Sequence, residues 1–92
     1  VAGAQQYSVT TAAQLLAAAP ASSAPGPVGW FTVSNGSTAQ TVYLNGGTAV
    51  SSTNGYAIAT SSSLSGWLYP GDNIYGIAGA GTATVSVLVT GA

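Results

Sequence analysis

The sequence predicts an all-β fold, a compact antiparallel β-sandwich of about seven to eight short strands. Three observations lead there. After residue 28, apolar and polar residues alternate over most segments, the period that sends successive side chains to opposite faces of a strand. Clusters of Gly, Asn and Pro punctuate the chain at intervals of roughly 8–12 residues. No apolar run approaches the ~20 residues of a membrane-spanning helix, because Ser, Thr, Asn, Gln and Gly interrupt each one. The 92 residues suit one domain, and a hydrophobic content of 47% is the opposite of a disordered composition.

Taken in order, residues 1–8 (VAGAQQYS) read as an N-terminal arm or the lead into a first strand, and residues 9–92 as the single sandwich domain. Residues 9–17 leave helix and strand both open. Ala, Gln and Leu favour a helix, while Val9 with Leu15 or Leu16 facing inward fits a strand. Residues 11–20 (TAAQLLAAAP) look faintly like a signal peptide, but no positive residue precedes them and only Leu15 and Leu16 are strongly apolar. Residues 18–29 hold Pro20, Pro25 and Pro27, which block ladder hydrogen bonds and predict a loop or extended crossing. Strands are expected at residues 28–34, closed by Asn35-Gly36, and at 40–44, closed by Asn45-Gly46-Gly47. Further strands are expected at 56–59, after Thr53-Asn54-Gly55, and at 64–69.

Pro70-Gly71-Asp72 predicts a tight turn. Pro70 presets φ, Gly71 accepts a positive φ, and the Asp72 carboxylate caps nearby backbone N–H groups. Residues 73–78 and 82–90 read as a terminal hairpin around the glycine-rich bend at 79–81.

Alternation also assigns faces. Val85, Val87 and Val89 share one side of the last strand, and Thr84, Ser86, Leu88 and Thr90 the other. Phe31 with Val33 makes a better core pair than Trp30 with Thr32, so Trp30 points outward. Val42 and Leu44 face in and Tyr43 out. Leu64 and Leu68 lie on one side of their strand, Trp67 and Tyr69 on the other beside Ser63 and Ser65. Trp30, Tyr43, Trp67 and Tyr69 are therefore the interface candidates, since outward aromatics are enriched at protein interfaces and sugar-binding surfaces. The competing expectation is that other parts of the same chain cover them.

Charge restricts function further. The chain has no Lys, Arg, His or Cys, and Asp72 is its one charged side chain, where ordinary domains carry about 25% charged residues. A Ser nucleophile would have no His or Lys base. Paired-carboxylate hydrolysis needs a second carboxyl. Transition-metal sites want His, Cys or several carboxylates. No catalytic, cofactor-binding or metal-binding residue is therefore expected, and Asp72 is read as a turn cap. Without cations, neither nucleic acid nor an anionic membrane is an expected partner. The glycines at 76, 79 and 81 precede no helix that would cradle a phosphate. Asn35-Gly36-Ser37 matches a glycosylation acceptor pattern that arises often by chance. A net charge of −1 removes like-charge repulsion and favours association.

One set of fragments, in this order, carries a resemblance. It comprises Val33-Ser34-Asn35-Gly36, Thr41-Val42-Tyr43-Leu44-Asn45-Gly46-Gly47, Thr53-Asn54-Gly55-Tyr56 and Leu64. Leu68-Tyr69-Pro70-Gly71-Asp72, Ile74-Tyr75-Gly76-Ile77-Ala78 and residues 81–88 (GTATVSVL) complete it. Together they resemble a small β-domain of tailed-bacteriophage virion proteins, and residues 7–19 are similar to that family's opening strand. The resemblance implies a β-sandwich that occurs free-standing as a head decoration protein or appended to other virion proteins. For this chain it implies the free-standing form, on the outer surface of the capsid, contacting the major capsid protein and forming a homo-oligomer, with a trimer favoured. Where family members often carry Arg or Lys before the Asn-Gly turn, this chain reads GPVGWFTV, so attachment would rest on apolar contacts and hydrogen bonds. The alternative expectation is a tail-fibre or head-fibre module that binds host glycans. A fibre subunit joined by donor-strand exchange is a third.

Overall fold

The computed structural model describes residues 2–19 and 26–91. Pro20 and Pro25 of the expected crossing, and the terminal Val1 and Ala92, lie outside the described residues. The described chain forms eight strands and no helix. They are β1 (Ala2–Val9), β2 (Gln14–Ala18), β3 (Gly29–Asn35), β4 (Val42–Asn45), β5 (Tyr56–Ile58), β6 (Ser63–Leu68), β7 (Asn73–Ala78) and β8 (Ala83–Gly91).

The strands lie in two four-stranded sheets, ordered β1-β8-β3-β6 and β2-β7-β4-β5, called here the first and second sheet. All pairings are antiparallel. The nested pairs β1·β8, β2·β7, β3·β6 and β4·β5 show the logic. Strands β1 to β4 form one arm of a long hairpin and β5 to β8 the other. Rolling that hairpin brings β8 against β3 and β7 against β4. The result is an eight-stranded jelly roll, in which two layers bury one core.

Alternation builds that core. On β3, Phe31, Val33 and Asn35 are buried while Trp30 is exposed and Thr32 and Ser34 are half-buried. Val85 and Val87 of β8 meet Val42 and Leu44 of β4 and Val9 of β1 in one apolar cluster with Leu68 and Ile58. Aromatic and β-branched residues suit β3 and β8 because both are central strands with one face against this core.

Three local expectations are resolved. Residues 2–9 are a strand paired residue by residue with β8, from Ala2 opposite Thr90 to Val9 opposite Ala83, so the sandwich includes them. The ambiguous segment is strand β2, with a register shift between Leu15 and Ala17. That bulge turns both Leu16 and Ala17 inward and leaves Leu15 outside. Pairing with β7 outweighs the helix preference of Ala, Gln and Leu, which is a weak prior against tertiary contacts. The expected terminal hairpin is corrected: β7 lies in the second sheet and β8 in the first. The bend at residues 79–81 carries the chain across the sandwich, because β7 is already paired on both sides by β2 and β4.

Asn35-Gly36 likewise starts a crossing between sheets. Asn35 is 1% exposed. Its Nδ2 donates to the Gln40 carbonyl at 2.8 Å and the Ile58 carbonyl at 3.0 Å, and its Oδ1 accepts from Ser37 N–H at 3.0 Å. One buried amide therefore ties the end of β3 to the loop before β4 and to β5. Buried with both amide atoms engaged, Asn35 leaves no room for a glycan within this fold.

Candidate functional site

The described residues form no pocket, so the candidate site is a face. The outer surface of the first sheet is a set of cross-strand rows. Trp30 stands opposite Trp67 on β6 and Thr90 on β8. Thr32 stands opposite Ser65 and Leu88, and Ser34 opposite Ser63 and Ser86. Strand β1 extends the rows with Ala4 beside Leu88 and Gln6 beside Ser86. The face is thus apolar and aromatic at the end where β3 begins, and hydroxylated towards the end where β3 finishes.

The two indoles meet edge to face, with ring centroids 4.7 Å apart and planes at 78°. Such a pair is worth about 0.5–1.5 kcal/mol beyond area burial, so each ring holds the other in place. Trp67 is 54% exposed, Trp30 36% and Leu88 42%. In the next row the Thr32 and Ser65 hydroxyls are 2.9 Å apart and bonded to each other, which spends one donor internally and leaves lone pairs outward. Order of this kind lowers the conformational cost of an incoming contact.

Just beyond β6, residues 69–72 form the turn. Asp72 N–H donates to the Tyr69 carbonyl at 3.0 Å, and Tyr69 N–H donates to Asp72 Oδ2 at 2.9 Å. Gly71 sits at φ +89°, which makes this a type II turn with Pro70 in the position that favours proline. The carboxylate is used to close the turn. Tyr69, also exposed, follows Trp67 by two residues at the aromatic end of the face.

Of the four interface candidates, Trp30 and Trp67 are paired on the first sheet, and Tyr69 is exposed in the turn just beyond β6. Tyr43 is elsewhere. It lies on the outer surface of the second sheet, opposite Ala57 and Ile77, half-buried and with its ring against Gly79. Tyr43 belongs to the opposite layer, so a flat partner on the first sheet does not reach it. Leu88 is the member of the face that the candidate set omitted. Its signal was present, since Leu88 falls on the Thr/Ser side of β8 by simple alternation.

The chemistry of this face is that of hydroxyls, indoles and aliphatic side chains. Its hydroxyls have no neighbouring His or Lys, because the chain contains none, and a Ser or Thr nucleophile is weak without such a base. Among the described residues no cluster of His, Cys, Asp or Glu is placed to hold a metal ion. No protein-family model matches the chain, and neither the curated proteins nor the solved structures contain a match to it.

Proposed function

We propose that this chain is a non-catalytic surface module that docks through the outer face of its first sheet, and that its assembly is the exterior of a tailed-bacteriophage head. In this reading it contacts the major capsid protein, self-associates as a homo-oligomer, most naturally a trimer at a local symmetry axis, and stabilises the shell by binding only its assembled form. The observation that carries the reading is the Trp30–Trp67 pair, held outward beside Leu88 and Tyr69 on a chain with no cationic side chain. Aromatic anchors of this kind dominate interface energetics. The virion identity comes from the sequence resemblance. Jelly rolls also serve as viral capsid and lectin domains, a fold-level analogy that by itself decides no function.

A second reading uses the same face. Exposed Trp67 beside a row of hydroxyls suits stacking on a neutral sugar, and a chain without cations has nothing to pair with an acidic one. One experiment separates the two. The Trp30→Ala/Trp67→Ala double variant is compared with wild type for occupancy on purified virions and for binding on a glycan array, with circular dichroism as the check on folding. Docking on the capsid predicts that each lost anchor weakens occupancy by about 2 kcal/mol, or about 30-fold in affinity, with no glycan signal from either protein. Occupancy that is unchanged in a folded double variant removes the capsid-docking reading. A wild-type glycan signal lost in the variant replaces it with the second.

A further inference from the structure

The chain carries three Asn-Gly pairs, Asn35-Gly36, Asn45-Gly46 and Asn54-Gly55, and none lies in the rows of the docking face. An Asn followed by Gly is chemically vulnerable because the next backbone nitrogen can attack the side-chain amide carbon, and Gly offers no side chain to block the approach. Proximity and orientation set the rate of such an intramolecular step, so the fold decides which pair reacts.

Two of the pairs are locked. Gly36 N–H donates to the Thr84 carbonyl at 2.9 Å, and Asn35 is buried with both amide atoms engaged. Gly55 N–H donates to the Ser51 carbonyl at 2.9 Å. Asn54 Nδ2 donates to the Ala49 carbonyl at 3.0 Å, and its Oδ1 accepts from Ser51 N–H at 2.8 Å. Attack at either site first breaks a backbone bond and then the bonds that orient the amide.

Asn45-Gly46 is arranged the opposite way. Gly46 N–H donates to Oδ1 of Asn45 itself, at 2.6 Å. The nucleophilic nitrogen is turned towards its own side-chain amide, at Oδ1, and not towards a distant backbone carbonyl, and Gly46 is exposed to solvent. Asn45 Nδ2 donates to the Asn54 carbonyl at 2.9 Å, with Asn54 Oδ1 at 3.5 Å. This bond fastens the end of β4 to the far end of the loop formed by residues 46–55.

We propose that Asn45 is a site of spontaneous deamidation, and that the conversion releases the 46–55 loop from β4. Solvent hydroxide removes the Gly46 amide proton. The nitrogen attacks Asn45 Cγ, a bond forms from N to Cγ, and the bond from Cγ to Nδ2 breaks. Nδ2 leaves as ammonia after taking a proton from water. A water molecule then opens the cyclic imide at either carbonyl and gives aspartate or isoaspartate. Asparagine and water become aspartate and ammonia, with no change of oxidation state. The new carboxylate takes the net charge from −1 to −2. It also replaces the Nδ2 donor by an acceptor that faces the Asn54 carbonyl and Oδ1. Acceptor against acceptor repels, and the chain has no Lys, Arg or His to compensate.

The test uses the intact folded protein, incubated at neutral and alkaline pH and analysed by peptide mass spectrometry, beside a denatured sample. Asn45 is expected to convert about tenfold or more faster than Asn35 and Asn54 in the folded protein, faster at alkaline pH, with the three sites levelled by denaturation. Hydrogen exchange of Asn45→Asp is the second readout. Amides in 46–55 should exchange faster than in wild type while those of β3 and β8 stay protected. Conversion of Asn35 or Asn54 ahead of Asn45, or a folded Asn45 that resists while the denatured chain reacts, overturns the assignment. Unchanged exchange across 46–55 in Asn45→Asp overturns the release.

Discussion

Replacing Asn35 by Ala removes one side chain that is hydrogen-bonded to three separate segments, and the loss can be estimated bond by bond. The bond to the Ile58 carbonyl is buried, whereas those involving Gln40 and Ser37 are partly buried. A buried acceptor left without a partner costs about 1–3 kcal/mol, and a bond whose partner can turn to water about 0.5–1.5 kcal/mol. Together these give a destabilisation of about 2–6 kcal/mol. Ordinary stabilities of about 0.05–0.15 kcal/mol per residue give a 92-residue domain only about 5–14 kcal/mol, so this amide supports a large fraction of the fold. Each kcal/mol shifts Tm by roughly 4–8 °C at this size. Thermal unfolding followed by circular dichroism should show a fall of at least about 8 °C for Asn35→Ala. The matched control is Asn45→Ala, whose bonds to Asn54 and Gly46 are exposed and whose loss should fall at the low end of the same per-bond range, about 1 kcal/mol in all. Equal Tm shifts in the two variants would refute the reasoning, because they would mean that burial of the Asn35 bonds adds nothing.

Gly55→Ala and Gly76→Ala separate two kinds of crowding. A Cβ at Gly55 would sit 2.6 Å from Tyr43 Cβ and 2.8 Å from the Ser51 carbonyl, neither of which can swing away, whereas one at Gly76 meets the Leu16 Cδ1 methyl at 2.7 Å. Denaturant titration should therefore place Gly55→Ala at the upper end of the ~1–3 kcal/mol overpacking range and Gly76→Ala at the lower end; the reverse order would contradict the geometry. Leu68→Ala, at a fully buried position, should cost about 2–5 kcal/mol, while Leu88→Ala on the outer face of the first sheet should leave stability almost unchanged. A chain with one charged side chain has almost no ion pairs to screen, so Tm in NaCl should hold within about 2 °C up to about 1 M. Sodium sulfate should raise Tm by strengthening apolar burial, and an equally large shift in NaCl would point to charge interactions that the sequence does not contain.

The inward and outward faces of β3, β4, β6 and β8 were legible because each strand has one wet and one dry side, so composition alternates with geometry. What escaped depended on contacts between distant segments. The LeuLeu pair at 15–16 fits neither a clean period of two nor a helix, since the bulge that settles it is imposed by pairing with β7. The bend at 79–81 has hairpin composition, but the partners of β8 are β1 and β3, and no local signal says that its two strands separate into different layers. Tyr43 alternates outward as faithfully as Trp30 does. Whether an outward aromatic is free depends on its sheet neighbours, and at Tyr43 the neighbour is Gly79, a residue without a side chain that lets the ring lie down against the backbone.

That last contrast bears on the kind of contact this domain makes. Its two broad faces are unequal. On the second sheet Tyr43 is half-buried and Ile77 is buried although both point outward, and the exposed apolar side chain on its outer surface is Leu15 at the edge strand β2. On the first sheet Trp30, Trp67 and Leu88 stay open. A broad aromatic face suits closed contacts with a surface or with other copies, whereas a fibre subunit needs complementary surfaces at two ends or a gap that a neighbour's strand fills. Both sheets hold four paired strands, and the place beside β8 that a donated strand would take is occupied by the chain's own β1. Self-complementation of this kind favours the docking module over the donor-strand subunit. It also predicts the consequence of deleting residues 2–9: β8 would lose its partner on that side, exposing a long central strand as a backbone edge with no charged residue to deter pairing with another copy, and the truncated protein should form concentration-dependent aggregates that the full chain does not.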